Sequence, residues 1–180
     1  MKKQIPNMIT VFRMIGTIIL IIYIYRYGLV NRYQIALIVV FLAFTDLLDG
    51  FLARHFHLES KLGMILDPVA DKIFNWGLAI TLMFKGLMPL WVLIIGVRDI
   101  IAFVLAKLLY DADFDISPTI PAKLKMAFQS IGLIATIAFG FGNKALELIA
   151  PIMMIMAILM TFIEFFVVKE KYIKYKKALT

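Results

Sequence analysis

The chain contains no cysteine. Disulfides, thiolate nucleophiles and cysteine-type zinc sites are therefore excluded, while the compartment stays open. Charge is scarce too. Only 17% of the 180 residues are charged, against about a quarter in a soluble domain. The sequence has two histidines, no internal repeat and no low-complexity segment. It leaves no room for a sizeable domain outside a membrane.

What remains is apolar. Hydrophobic residues make up 63% of the chain, and the mean hydropathy is +0.94. This is the composition of a polytopic membrane protein. A lipid-exposed chain must satisfy its backbone internally, so the predicted fold is all-α. Residues 1–180 read as a single membrane domain with six transmembrane helices, near 8–26, 33–54, 68–86, 88–109, 124–142 and 146–168. The opening "MKKQIPNMITVFRM" begins like a signal peptide. The apolar run after it is long enough to span and shows no small-residue cleavage site, which predicts a retained first helix.

The connections "YGLVNR", "KGLMP" and "GFGNKA" are short and turn-rich, and predict tight helical hairpins. They hold Arg26, Arg32, Lys85 and Lys144. The other fifteen of the nineteen lysines and arginines lie on the opposite side, with both termini and the longer loops 55–67 and 110–123. By the positive-inside rule that side is cytoplasmic. The net charge of +7 is concentrated partly in the C-terminal "KEKYIKYKK". This reads as a topology signal and a contact for anionic membrane lipids, not as a nucleic-acid surface.

Against this background "TDLLDGFLARHFHLESKLGMILDPVADK", residues 45–72, stands out. Asp46 and Asp49 are three residues apart and Asp67 and Asp71 four apart, so each pair shares a helical face. A cytoplasmic loop joins the two helices and lets the pairs face each other. Converging carboxylates repel at low dielectric, and one or two divalent cations would relieve this. Oxygen-only ligands suit Mg²⁺ or Mn²⁺, which recruit substrate phosphates. Gly50 and Gly63 allow close approach to the backbone, and Arg54 can hold a diphosphate as a fork. The bland alternatives are Asp67 capping a helix that opens at Pro68, snorkelling by Arg54 and Lys72, and a plain loop glycine at Gly63. Asp46 follows "LIVVFLAFT", and an acid there points to a functional site.

The spacing Asp-x2-Asp-Gly-x2-Ala-Arg-x8-Gly-x3-Asp-x3-Asp runs through Asp46, Asp49, Gly50, Ala53, Arg54, Gly63, Asp67 and Asp71. It resembles the signature of the class I CDP-alcohol phosphatidyltransferases at all eight positions. The resemblance implies transfer of a phosphatidyl group from CDP-diacylglycerol to a hydroxyl acceptor, with release of CMP. It implies that Asp46, Asp49 and Asp67 hold one metal ion and Asp46, Asp67 and Asp71 a second. Asp71 would also be the general base. Gly50, Arg54 and Ser60, with Gly63, would meet the CDP-lipid. It further implies a homodimer in a bacterial inner or cell membrane, with a cytoplasmic active site. "IPNMITVFR" is similar to an element of the phosphatidylglycerophosphate and cardiolipin synthase branches. Its Asn7, Thr10 and Arg13 share one face and are candidates for the nucleotide or metal end of the cavity; an N-cap and a snorkelling arginine are the alternatives.

Arg98, Lys123 and Lys125 are the candidate acceptor residues. Arg98 interrupts an apolar run and should face the interior. A pair with the adjacent Asp99 is disfavoured, since neighbours on a helix point about 100° apart. Arg98-Asp99 and the proline before Lys123 resemble the cardiolipin synthases, whose acceptor is phosphatidylglycerol. Lys125 resembles the phosphatidylglycerophosphate synthases, whose acceptor is glycerol 3-phosphate, although Met126 departs from the usual threonine. The extra positive charge favours the small phosphorylated alcohol. A cation transporter is the alternative of another class, but its polar groups should lie near the bilayer midplane on several helices. Three signals carry less. "DADFD" at 111–115 lacks the glycine and glutamate of a calcium loop. His55 and His57 have no further ligands nearby, and Ala138 with Gly142 forms a small-xxx-small pair that hints at a dimer face.

Overall fold

The structure, a computed structural model, describes residues 5–55, 61–98, 100–101, 119–142 and 144–179. Helix α1 spans Ile5–Tyr27 and α2 spans Arg32–His55. Helix α3, Lys61–Lys72, runs through a π-helical turn at Ile73–Gly77 into α4, Leu78–Phe84. A 3-10 turn at Leu90–Val92 leads into α5, described over 93–98 and 100–101. Helix α6 is Ile120–Phe139 and α7 is Ile149–Leu179. No strand occurs among the described residues.

Each helix turns one stripe inward. On α1 the buried residues are Thr10, Arg13, Thr17, Leu20 and Ile24, spaced by three or four. Met8, Val11, Phe12, Ile15, Ile19 and Ile22 cover its exposed sides. The helix is thus apolar outside, with the polar part of its stripe at one end, as expected of a membrane helix that lines a site. On α2 the stripe is Ile35, Val39, Leu42 and Thr45. Helix α1 packs on α2, α3, the π turn and α4; α2 packs on α6, and α6 on α7. The core runs from Leu20 and Ile24 through Val39, Phe74, Leu78 and Leu133 to Met154.

Lipid is as apolar as leucine, so hydrophobic burial orders these helices weakly and close packing and polar contacts matter more. Buried threonines satisfy themselves locally: Thr17 donates to the Arg13 carbonyl at 2.8 Å and Thr136 to that of Gly132 at 2.8 Å. Gly77 lets α1 approach the π turn, since a Cβ there would sit 2.5 Å from Ile21 Cδ1. Gly28 and Gly86 end their helices at φ 69° and 67°, where side-chain-bearing residues are strained.

Among the described residues, Met8–Tyr27, Ile120–Phe139 and Ile149–Lys177 are long and apolar enough to cross a membrane. Several predicted boundaries move. The third helix begins at Lys61, so Asp67 and Pro68 lie inside it and Asp67 is not its N-cap. At a membrane, extending a helix satisfies backbone groups that a loop would leave open, and such helices tolerate proline. The fifth helix starts at Ile120 because Thr119 caps it, accepting from the Ala122 N–H at 3.4 Å, with a proline in the first turn. The last helix runs on to Leu179, through the basic segment. Good helix formers and an i,i+4 pair, Glu170 with Lys174 at 2.7 Å, carry it there. The small-residue pair also reads differently. Ala138 is buried in the core and Gly142 lies beyond the end of α6 against Glu147, so the two do not form an outward dimer face.

Candidate functional site

Two charged clusters occupy the interior. The first joins α1, α2 and α3. Arg13, 2% exposed, sits on the inner stripe of α1. Its Nη1 pairs with Asp46 Oδ1 on α2 and with Asp71 Oδ1 on α3, the latter at 3.1 Å. One turn earlier, Thr10 Oγ1 donates to Asp67 Oδ1 at 3.0 Å. The three-residue spacing of Thr10 and Arg13 thus matches the four-residue spacing of Asp67 and Asp71 on the facing helix. Arg13 does not snorkel: it is buried and is a counter-charge of two partly exposed acids. Its Nε and Nη2 are buried and have no hydrogen-bond partner among the described residues. Unsatisfied buried donors are costly, and donors aimed at an acid-lined site suit the oxygens of a bound anion.

The π turn fixes this cluster to the rest of the bundle. Asn75 is buried within it, and its Nδ2 donates to the Asp71 carbonyl at 3.2 Å. Its Oδ1 accepts from Ser130 Oγ on α6 at 3.2 Å. π turns are frequent at functional sites, where they re-aim one side chain. Nothing in the sequence pattern flagged Asn75 or Ser130.

The second cluster joins α5, α6 and α7. Arg98 Nη1 and Lys125 Nζ both reach Glu164 Oε2, at 3.0 and 3.3 Å. Arg98 Nη2 also donates to the Thr161 carbonyl at 2.9 Å. Arg98 and Lys125 therefore come together, as the sequence suggests, around a glutamate that the sequence analysis passed over. Glu164 stands in the apolar run "MTFIEFFVV", and a lone acid in such a run was the available signal. Lys123 does not join them. It is exposed, because two residues along a helix turn the side chain to the other side. Gln129, one turn from Lys125, is buried, and its Nε2 has no partner among the described residues.

The remaining candidates are placed by backbone only. Asn7 lies in the first turn of α1, Asp49, Gly50 and Arg54 in the last turns of α2, and Gly63 in the first turn of α3. Their side-chain surroundings, together with Ser60, His57, Asp99 and the loop 111–115, lie outside the described residues. No group of three metal-ligating side chains is found among the described residues. The donor set nevertheless has the right chemistry for a hard cation: Asp46, Asp67 and Asp71 supply carboxylate oxygens only, and among the described residues Arg13 lies between two of them.

Comparison with known proteins identifies the family. The family model described as CDP-alcohol phosphatidyltransferase matches residues 3–169. A protein of Aquifex aeolicus named CDP-diacylglycerol–glycerol-3-phosphate 3-phosphatidyltransferase is 30% identical over 135 residues, 73% of this chain and 74% of that one. A Rickettsia typhi protein of the same name is 28% identical over 164 residues, covering 89% of this chain and 92% of its own. A Schizosaccharomyces pombe protein named as a fusion of CMP-forming cardiolipin synthase with a mitochondrial hydrolase is 40% identical over 100 residues, 54% of this chain but 16% of that one. With apolar helices of spanning length, an acid cluster bound to α1 and a family match over nearly the whole chain, this is an integral membrane enzyme of the CDP-alcohol phosphatidyltransferase family, and not the cation transporter that its acids alone would allow.

Proposed function

We propose that the chain transfers the phosphatidyl group of CDP-diacylglycerol to glycerol 3-phosphate and releases CMP, as a phosphatidylglycerophosphate synthase. The observation that carries the choice of acceptor is the convergence of Arg98 and Lys125 on one point, which builds a base-rich site apart from the acid-rich one. A phosphorylated alcohol needs both sites: cations for its phosphate, and a carboxylate for its hydroxyl proton. Helix α6 carries Lys125 toward one cluster and Ser130 toward the other. Five residues of helix separate them by about 7.5 Å, which suits a small acceptor. The names of the Aquifex and Rickettsia relatives support the same reading.

Divalent-metal dependence is general in the family. In our reading Asp46, Asp49, Asp67 and Asp71 hold two ions, Mg²⁺ or Mn²⁺, which supply charge neutralisation at the diphosphate. Asp71 takes the proton of the acceptor hydroxyl as its oxygen bonds to the phosphatidyl phosphorus and the bond to CMP breaks. Asn75 and Ser130 hold the backbone at Asp71 in place. Asn7, Thr10, Gly50, Arg54, Ser60 and Gly63 receive the CDP-lipid, and Nε and Nη2 of Arg13 face its diphosphate. The working form is a homodimer of six-span subunits in a bacterial inner or cell membrane, with its active site and both termini cytoplasmic.

The test is CMP release by purified protein from CDP-diacylglycerol in mixed micelles with Mn²⁺. Release that requires glycerol 3-phosphate supports the proposal. Release that requires phosphatidylglycerol instead makes the chain a CMP-forming cardiolipin synthase, the reading that the fission-yeast match favours.

A further inference from the structure

Glu164 belongs to no part of the signature, yet it organises the second cluster. Its side chain is 19% exposed, and one oxygen, Oε2, accepts from Arg98 at 3.0 Å and from Lys125 at 3.3 Å. Both cationic nitrogens thus lie within 3.3 Å of the same oxygen, close enough to feel each other's charge. They come from different helices, α5 and α6, and nothing covalent holds them together. Like charges so placed repel strongly where water is scarce. Glu164 offsets the repulsion from a third helix, and the Thr161 carbonyl one turn before it orients the guanidinium through a bond of 2.9 Å. Among the described residues, two cations meet this one carboxylate, and such a gathering of charged donors suits an anion.

We infer that Glu164 is a positioning residue for the acceptor. It gathers Arg98 and Lys125 into one anion-binding point before a phosphomonoester arrives, so that binding need not bear the cost of assembling them. It touches the two cations and not the reacting atoms, and its effect belongs in acceptor affinity. This inference rests on the assignment of Arg98 and Lys125 to the acceptor made above.

Steady-state kinetics of the full-length protein, with glycerol 3-phosphate and CDP-diacylglycerol varied separately, test it. E164Q keeps the shape and removes the charge. It should raise KM for glycerol 3-phosphate by about 10-fold, leaving kcat and KM for the CDP-lipid within about 2-fold. E164D keeps the charge and should recover most of the loss. In a Lys125→Gln background E164Q should add less than about 2-fold, since the pair it holds is already broken. A KM for glycerol 3-phosphate that is unchanged or lowered in E164Q overturns the inference, as does a loss confined to kcat. If E164Q does not melt like the wild-type protein, E164D decides: an acceptor KM raised by about 2- to 3-fold at unchanged kcat supports it, and an acceptor KM equal to that of the wild type overturns it. Should Lys125→Gln and Arg98→Lys themselves leave the acceptor KM unmoved, the acceptor assignment falls. That result is distinct from failure at Glu164 alone.

Discussion

The two charged clusters are mirror images. At the junction of α1, α2 and α3 one cation, Arg13, serves two acids, while a third acid, Asp67, takes a hydroxyl. At the junction of α5, α6 and α7 one acid, Glu164, serves two cations. Each is internally paired, which a charge at membrane depth requires. Among the described residues the first holds more acids than cations and the second more cations than acids, and that composition bears on what each can recruit. On the proposed reading the acid-rich cluster would attract metal ions and, through them, a diphosphate, and the base-rich cluster would attract an anion directly. Chemistry should therefore fail at the first and affinity at the second, and substitutions can break or sharpen that division.

The largest effect is expected at Asp71. Asp71→Asn should lower kcat by about 10²–10⁴-fold, the range for loss of a general base, while CDP-diacylglycerol still binds. Near-normal turnover in this variant would remove proton transfer from the acid-rich cluster, and the division with it.

Arg13→Gln comes next. Removing one partner of a buried ion pair costs about 3–5 kcal/mol. Unfolding in detergent should show a loss of this order. Because the acids then lack their counter-charge, Mn²⁺ should raise the melting temperature of Arg13→Gln more than that of the wild-type protein. An equal metal response in both would mean that Arg13 and the metal do not answer the same charge.

The two clusters also differ in how far they could be read from the sequence. The acids lie within one segment, residues 46–71, at spacings of three and four, so helical geometry alone groups them. Thr10 and Arg13 are legible for the same reason, though their partners are 57 and 58 residues away. The base-rich cluster has no such periodicity. Arg98 and Lys125 meet Glu164 across separations of 66 and 39 residues, and only packing brings them together. Spacing along a helix separates Lys125 from Lys123, but it does not reveal which of them faces inward. The π turn was invisible for another reason: "IFNWG" is ordinary helical sequence, and the extra residue is accommodated by packing against α1 and α6. The all-helical reading holds among the described residues, three of whose helices are long and apolar enough to cross a membrane, and the predicted ends fail at Lys61 and Leu179, where helix continues beyond the apolar run.

A smaller effect probes the link between the clusters. Ser130→Ala removes the hydrogen bond to Asn75 and should cost about 1 kcal/mol of stability. If Asn75 steadies the backbone at Asp71, the loss should fall on kcat, with the acceptor KM unmoved. A change in acceptor KM instead would place Ser130 with the base-rich cluster.

The smallest effect is expected at Lys123, and it discriminates most cleanly between sequence and structure. Lys123 and Lys125 are equivalent in charge and two residues apart, and each could bind an anion. In the structure Lys125 is buried against Glu164 and Lys123 is exposed. Lys123→Gln should then change the acceptor KM by less than about 2-fold, as an exposed charge screened by solvent does. Lys125→Gln should raise it by about 10-fold, as loss of a charged hydrogen-bond partner does. Repeating the pair of measurements at high salt sharpens the contrast, because any contribution of Lys123 is long-range attraction and fades with ionic strength, whereas that of Lys125 is contact and persists. Equal effects of the two lysines would mean that the acceptor is drawn by the charge of the whole face of α6 rather than held at one point.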